Sequence, residues 1–273
     1  MKMMIQADDY GITRAVADGI VACAKEGMMT QTGFFTNMPW AEYCAEKAKE
    51  APNLLLGQDL NLSTGSPVTS PELIPSLVQP NGAFLTSSMH KKLDQTDPHH
   101  AKYEEAYLEY DNQVKRFIEL TGKLPGYIGG HAWESDETRR ALNDICEKYG
   151  VVNLIKVLNF SLENDLEMRW ARPIQREDGR WEFNVLTQSE NDPLAWFREG
   201  RFDEILNRAL QSEEVFMLHT HAGYLDRDLL SLSSYNMLRA MEAGFLMSDD
   251  LKRWVKENNV ELVNIQDVIR EKK

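Results

Sequence analysis

Strand-like apolar runs and amphipathic helical segments alternate about seven times along this chain, and that order limits the fold more than any composition figure does. Met3 to Ala7 reads as a short buried strand. Thr13 can then cap a helix whose Val16, Ile20, Cys23 and Ala24 share one face before Gly27 stops it. The unit recurs: strand 32–37, helix 40–51 and strand 53–62, followed by a long stretch punctuated by Pro67, Pro71, Pro75, Pro80 and Gly82. Helix 102–121 carries Tyr103, Ala106, Tyr107, Tyr110, Val114, Phe117 and Ile118 at helical spacing, which points to packing rather than a binding box. Strand 124–131, helix 136–149 and strand 151–158 come next. A second insertion reads as a hairpin over 171–187 with its turn at Asp178 and Gly179. Helix 194–211, strand 213–221, helices 232–243 and 248–259 and strand 260–265 close the chain. Such alternation predicts a parallel sheet with helices outside it, and we favour a closed, irregular barrel of about seven strands with two insertions over an open sheet.

The 273 residues fit one domain spanning 1–273. No apolar run approaches a membrane span, and no basic, apolar and small-residue leader precedes Met3, so the cytoplasm is the expected location. Cys23, Cys44 and Cys146 are odd in number and scattered, as buried thiols rather than a zinc knuckle or disulfide framework would be. A formal net charge of -13 opposes nucleic acid and anionic lipid alike, which leaves a small-molecule ligand as the expected partner. No nucleotide-binding glycine fingerprint is present.

In a parallel barrel the chemistry collects where strands end. That rule selects Asp8 and Asp9 after the first strand, Asp59 and Asn61 at the third, His131 at the fourth, and His219 and His221 at the sixth. Singly, each has a packing or capping explanation; together they point to a site. Two adjacent carboxylates closing a buried strand need partners or a metal. Carboxylate and imidazole suit one divalent ion, and three such ligands with an open position outline metal-assisted hydrolysis, a spare carboxylate and a spare histidine serving as base and acid. His90, His99 and His100 fall in the first insertion and receive no role. Trp133, two positions past His131, could stack on a sugar ring or anchor a loop, and Trp40 sits similarly after the second strand.

These residues resemble the YdjC-like carbohydrate deacetylases, the family that includes chito-oligosaccharide deacetylase. The likeness runs through "IQADDYGITRAVADGI", "LGQDLNLSTGSPV", "GGHAW" and "HAGYLDRDLLSLSSYNMLRAMEAGFL", in order and over nearly the whole chain. It implies an irregular TIM-like barrel, with Asp8 as catalytic base, Asp9 and His131 as metal ligands and His221 as general acid. Two departures stand out. Asp59 occupies the place of a metal-binding histidine, and Trp133 and Ser135 replace later histidines of the fourth-strand motif. With Asp59 as the third ligand, two aspartates and one histidine would cancel the ion's charge and tilt the site from zinc toward magnesium or manganese. The reading is a metal-dependent hydrolase (Mg, Mn or Zn) removing an N-acetyl group from an amino sugar or oligosaccharide. Asn61, Trp133 and Arg239 would contact the sugar, and a homodimer is the expected assembly. The alternatives are another metal hydrolase, such as a phosphoesterase, or a non-catalytic sugar-binding protein on the same scaffold.

Overall fold

The computed structural model describes residues 1–156, 167–168, 174–175, 181–182 and 192–271. The chain enters through β1 (Lys2–Tyr10), and Thr13 accepts a hydrogen bond from the Val16 amide to start α1 (Arg14–Lys25). A cap of this kind is worth ~1 kcal/mol. There follow β2 (Gln31–Phe34), α2 (Ala41–Ala48) and β3 (Leu55–Leu60). The first insertion is less irregular than its prolines suggest: Thr86 caps α3 (Ser87–Asp94), a helix absent from the sequence reading. Next come α4 (Tyr103–Thr121), β4 (Ile128–Gly130), α5 (Asp136–Tyr149) and β5 (Glu167–Met168).

The expected strand 151–158 is corrected where it is described, because Asn153 makes only an isolated parallel bridge to Ile128 and the chain turns helical at 154. Its last two residues lie outside the described set. Of the hairpin over 171–187, the described part is an antiparallel pair, β6 (Ile174–Gln175) with β7 (Trp181–Glu182). The long helix 194–211 is two helices, α6 (Pro193–Arg198) and α7 (Asp203–Leu210), because Gly200 turns left-handed between them at φ 72°. After β8 (Val215–Thr220) come α8 (Arg227–Leu232), α9 (Met237–Met247) and α10 (Asp249–Glu257). The last strand shrinks to β9 (Glu261–Leu262), and Ile265 opens α11 (Ile265–Glu271).

The sheet runs β4-β3-β2-β1-β8-β5, with β9 added beside the start of β1, and every pairing in it is parallel. Among the described residues no pairing closes β4 onto β5, so the molecule is an α/β fold on a parallel sheet and not a demonstrated barrel. Period-two alternation sorts the side chains of β1. Met3, Ile5 and Ala7 join Val16, Ile20, Phe34, Phe216 and Leu218 in the layer under the helices, whereas Met4 packs with Tyr127, Val215, Met217 and Ile265 on the opposite face. Each buried Val, Leu, Ile, Phe or Met among them contributes roughly 1.5–3 kcal/mol of transfer free energy. A further apolar cluster, with Leu62, Ile74, Phe84, Tyr110 and Trp133, ties the first insertion to α4 and α5. Buried Glu109 completes that anchorage by accepting the Val68 and Thr69 amides at 3.0 and 2.8 Å. All three cysteines are free and buried, as expected. No described helix is long and apolar enough to cross a membrane.

Candidate active site

Parallel strands deliver their carboxyl ends to one edge, and register fixes which residues share a face. Gln6 stands level with Gln31 on one side and His219 on the other, while Asp59 stands level with Gly129. Asp8, two residues beyond Gln6, lies on the same face. Asp9 should then point away. It does not, because the chain takes a left-handed turn there (φ 68°) and the β1–β2 register shifts between Ala7 and Tyr10. This irregularity lets two consecutive carboxyls serve one strand end.

Their partners differ. Asp8 accepts a hydrogen bond from Gln6 Nε2 at 2.6 Å on Oδ1, and its Oδ2 lies 2.7 Å from His219 Nε2. Burial pushes the Asp8 carboxyl up, but the attraction of His219, its hydrogen bond and the nearby His221 outweigh it, leaving the group below the usual carboxylate range. Asp9 is 2% exposed and takes Arg239 Nη2 at 2.5 Å on Oδ2. Here too burial is overcome, by Arg239 first and His131 next, and the carboxyl is held well below its ordinary value. The other oxygen, Oδ1, lies 3.1 Å from His131 Nδ1 but is buried without a hydrogen-bond partner.

Asp59 behaves oppositely. Its carboxyl is seated over Gly33, where an added Cβ would approach it to 2.0 Å, and Oδ2 accepts the Asp9 amide at 3.3 Å. Burial, then the charges of Asp8 and Asp9, raise it well above the carboxylate range, so it favours the neutral acid. His131 is held by an edge contact from Phe35 and lies 3.5 Å from Thr64 Oγ1 of the first insertion.

His221 stands between the two acids and the last helices. Its amide donates to Glu242 at 2.7 Å, its carbonyl accepts from Arg239 Nη1 at 3.2 Å, and its ring lies 4.8 Å from that of Tyr235. Tyr235 in turn donates to Glu242. Burial lowers the His221 imidazole to about 4 against the pull of Asp9 and Asp8, so it rests neutral at neutral pH.

Three residues expected to meet a sugar are placed otherwise. Arg239 is 1% exposed, and its guanidinium is spent on Asp9, on the His221 carbonyl and on the Tyr235 carbonyl. It is a buried counterion. Trp133 is 7% exposed, stacks on His90 at 3.8 Å and donates its indole N–H to Asp94 at 2.8 Å, which is the packing alternative. Asn61 is buried and organises its own loop, accepting the Ser63 and Thr64 amides and donating to the Thr64 carbonyl and to Asn37. Trp40 is covered by the Arg14 guanidinium at 4.6 Å.

The donor chemistry fits a divalent cation. Asp9 Oδ1 is an orphaned buried carboxylate oxygen directed at an imidazole nitrogen, the relation two ligands of one ion would have. Asp59 is less committed to such a role, with Oδ2 on the Asp9 amide. A second combination exists: donor atoms of Asp8, His219 and His221 all lie within 4.8 Å of one another. Reading strand ends found the acids and imidazoles but missed Gln6, Gln31, Tyr235 and Glu242. For Gln6 and Gln31 the signal available was polarity at positions where β1 and β2 should be apolar; Tyr235 and Glu242, before and within α9, carried none.

Fold and cluster together define a parallel α/β protein with an acid–imidazole centre at the carboxyl ends of its strands. The chain belongs to the YdjC-like protein family, which matches residues 2–257. It is 28% identical over 273 residues to carbohydrate deacetylase 2 of Listeria innocua serovar 6a, covering 98% of this chain and 99% of that one. It is 29% identical over 262 residues to the carbohydrate deacetylase of Oceanobacillus iheyensis, covering 94% and 100%. In fold it is similar to an Enterococcus faecalis V583 protein described as a cellobiose-phosphate cleavage protein, with a TM-score of 0.72, 24% identity and 98% of each chain covered.

Proposed function

We propose that this protein hydrolyses the N-acetyl group of a small amino sugar or oligosaccharide, such as a chito-oligosaccharide, with one divalent cation. The observation that carries the reading is the orphaned Asp9 Oδ1 facing His131, in a chain aligned end to end with relatives named carbohydrate deacetylase. Asp9 and His131 would hold the cation, with Asp59 as the third ligand. When bound, it supplies Lewis-acid polarisation of the acetyl carbonyl. Asp8, ionised and held by Gln6 and His219, takes the proton from the attacking water. His221 rests neutral, so the proton that Asp8 takes from the water must pass to it before it protonates the departing amine. Arg239 keeps Asp9 ionised and aimed. Closure of the sheet into an irregular TIM-like barrel belongs to the same proposal.

A phosphoesterase would need a cationic clamp for phosphate, and the guanidinium of this site is already spent on Asp9. A sugar-binding role without turnover, the reading that the Asp59 and Trp133 departures allow, gains no exposed indole to stack on a sugar, because Trp133 is buried. The test is acetate release from N-acetylated chito-oligosaccharides with and without Mg²⁺, Mn²⁺ and Zn²⁺, beside phosphate release from a phosphorylated disaccharide. Metal-dependent acetate without phosphate is expected; phosphate alone would reverse the assignment.

A further inference from the structure

Gln6 and Gln31 are two long amides buried side by side in adjacent central strands, 2% and 0% exposed, where apolar residues would cost less. Their bonds form one line. The Ile265 amide donates to Gln31 Oε1 at 2.9 Å, Gln31 Nε2 donates to Gln6 Oε1 at 2.6 Å, and Gln6 Nε2 donates to Asp8 Oδ1 at 2.6 Å. Both ends dictate the same direction. A backbone N–H can only donate, so Gln31 must turn its oxygen toward Ile265 and its nitrogen toward Gln6. An ionised carboxylate can only accept, so Gln6 must turn its nitrogen toward Asp8 and its oxygen toward Gln31. Neither amide can flip without setting oxygen against oxygen at one end.

From this we infer that Gln31 and Gln6 are positioning residues for Asp8, a directional amide relay that runs from the first residue of α11 to the carboxylate assigned above as the base. The inference rests on that assignment. His219 contacts the other Asp8 oxygen, so the carboxylate is fixed at both oxygens while each keeps a lone pair for water. The relay explains why a sheet whose neighbouring layer holds Met4 and Met217 carries amides one step nearer the site.

The experiment compares Gln6→Met, Gln31→Met and Gln31→Glu, reading kcat and KM for acetate release, thermal midpoints and the side-chain amide signals in ¹⁵N spectra. Gln6→Met should lower kcat by ~10–100-fold, the usual cost of an outer partner, with KM within about twofold. Gln31→Glu keeps the shape and still accepts from Ile265, and at alkaline pH, once its buried carboxyl is ionised, it offers Gln6 an acceptor where a donor stood. Gln6 must then flip and present oxygen to Asp8, so kcat should fall further than in Gln31→Met, an order that simple loss of packing would not produce. In the wild type the Gln6 amide should show a downfield proton from donation to a carboxylate, lost in Gln31→Glu. Wild-type kcat in Gln6→Met and Gln31→Met, or a Gln6 signal in Gln31→Glu that stays unmoved up to alkaline pH, would overturn the relay. A wild type that releases no acetate yet shows the signal and its loss would refute the deacetylase reading and keep the relay.

Discussion

Two regions bury histidine beside aspartate, and they put it to opposite uses. In the first insertion, His90 Nδ1 lies 2.8 Å from His100 Nε2 and His90 Nε2 lies 3.1 Å from the Leu62 carbonyl, while Trp133 covers the ring and shares Asp94 with His100. At the strand ends, Asp8, Asp9 and Asp59 converge with His131, His219 and His221. Burial drives both His90 and His221 to about 4, so a displaced imidazole does not by itself mark the site. What separates the regions is carboxylate density. One aspartate between an indole and an imidazole is a packing element. Three carboxyls, one forced toward neutrality by burial and by the other two, are an arrangement that a cation would complete.

The hardest break in that comparison is Asp9→Ala. It removes a proposed ligand and strands Arg239, 1% exposed, so a loss of roughly 3–5 kcal/mol in chemical denaturation should accompany the loss of metal affinity. Asp8→Asn should retain both fold and metal, because Asn keeps an acceptor for Gln6, yet lose turnover by on the order of 10²–10⁴. Calorimetric metal titration beside acetate release reads the two variants. Equal loss of metal in both would move the cation toward Asp8, His219 and His221.

The insertion should respond in the reverse sense. Trp133→Phe gives up the bond to Asp94 and part of the stack on His90, for ~1–2 kcal/mol of stability, with kcat/KM of the folded protein unchanged. Acid should act in the same place. His90 has its value depressed in the folded state, so its contribution is fully present above the unfolded value of ~6.5 and is lost as pH falls toward 4. Urea midpoints between pH 7.5 and 4.5 should fall less steeply in His90→Gln than in the wild type. A sugar-dependent change in Trp133 fluorescence would contradict this division of labour.

Much of this is legible in the sequence. The alternation of runs yields the parallel sheet, and the polar residues at strand ends yield Asp8, Asp9, Asp59, His131, His219 and His221, because parallel topology sends all those ends one way. Two kinds of feature were not legible. The shared destination of Asp8 and Asp9 depends on a left-handed residue and a register shift, which period-two reasoning forbids. The sealing of Trp133 and Arg239 depends on partners distant in sequence: Asp94 lies 39 positions from Trp133, and Asp9 lies 230 from Arg239. Spacing within a motif carries no information about such partners. The shortening of the last strand where Ile265 docks on Gln31 is likewise a tertiary decision overriding local pattern, whereas the helix break at Gly200 follows from a glycine the sequence displays.

The smallest expected effect is the one that tests Asp59 most sharply. Its carboxyl is raised in the folded state by burial and by Asp8 and Asp9, so its contribution to stability is fully present below the unfolded carboxylate value of ~3.9 and is lost as pH rises toward the folded one. Asn is isosteric, keeps an acceptor for the Asp9 amide and fits the same space over Gly33. In chelator, Asp59→Asn should therefore match the wild type near pH 4 and exceed it at pH 7 by on the order of 1 kcal/mol, a rise of ~2–4 °C in Tm. Added divalent metal should invert the order if Asp59 is a ligand, because the wild type then gains the binding free energy that the variant has partly lost. A variant that remains the more stable protein at pH 7 in saturating metal would remove Asp59 from the ligand set. It would leave Asp9 and His131 holding the ion without it, and would make Asp59 a neutral acid whose work is to receive the Asp9 amide at the turn.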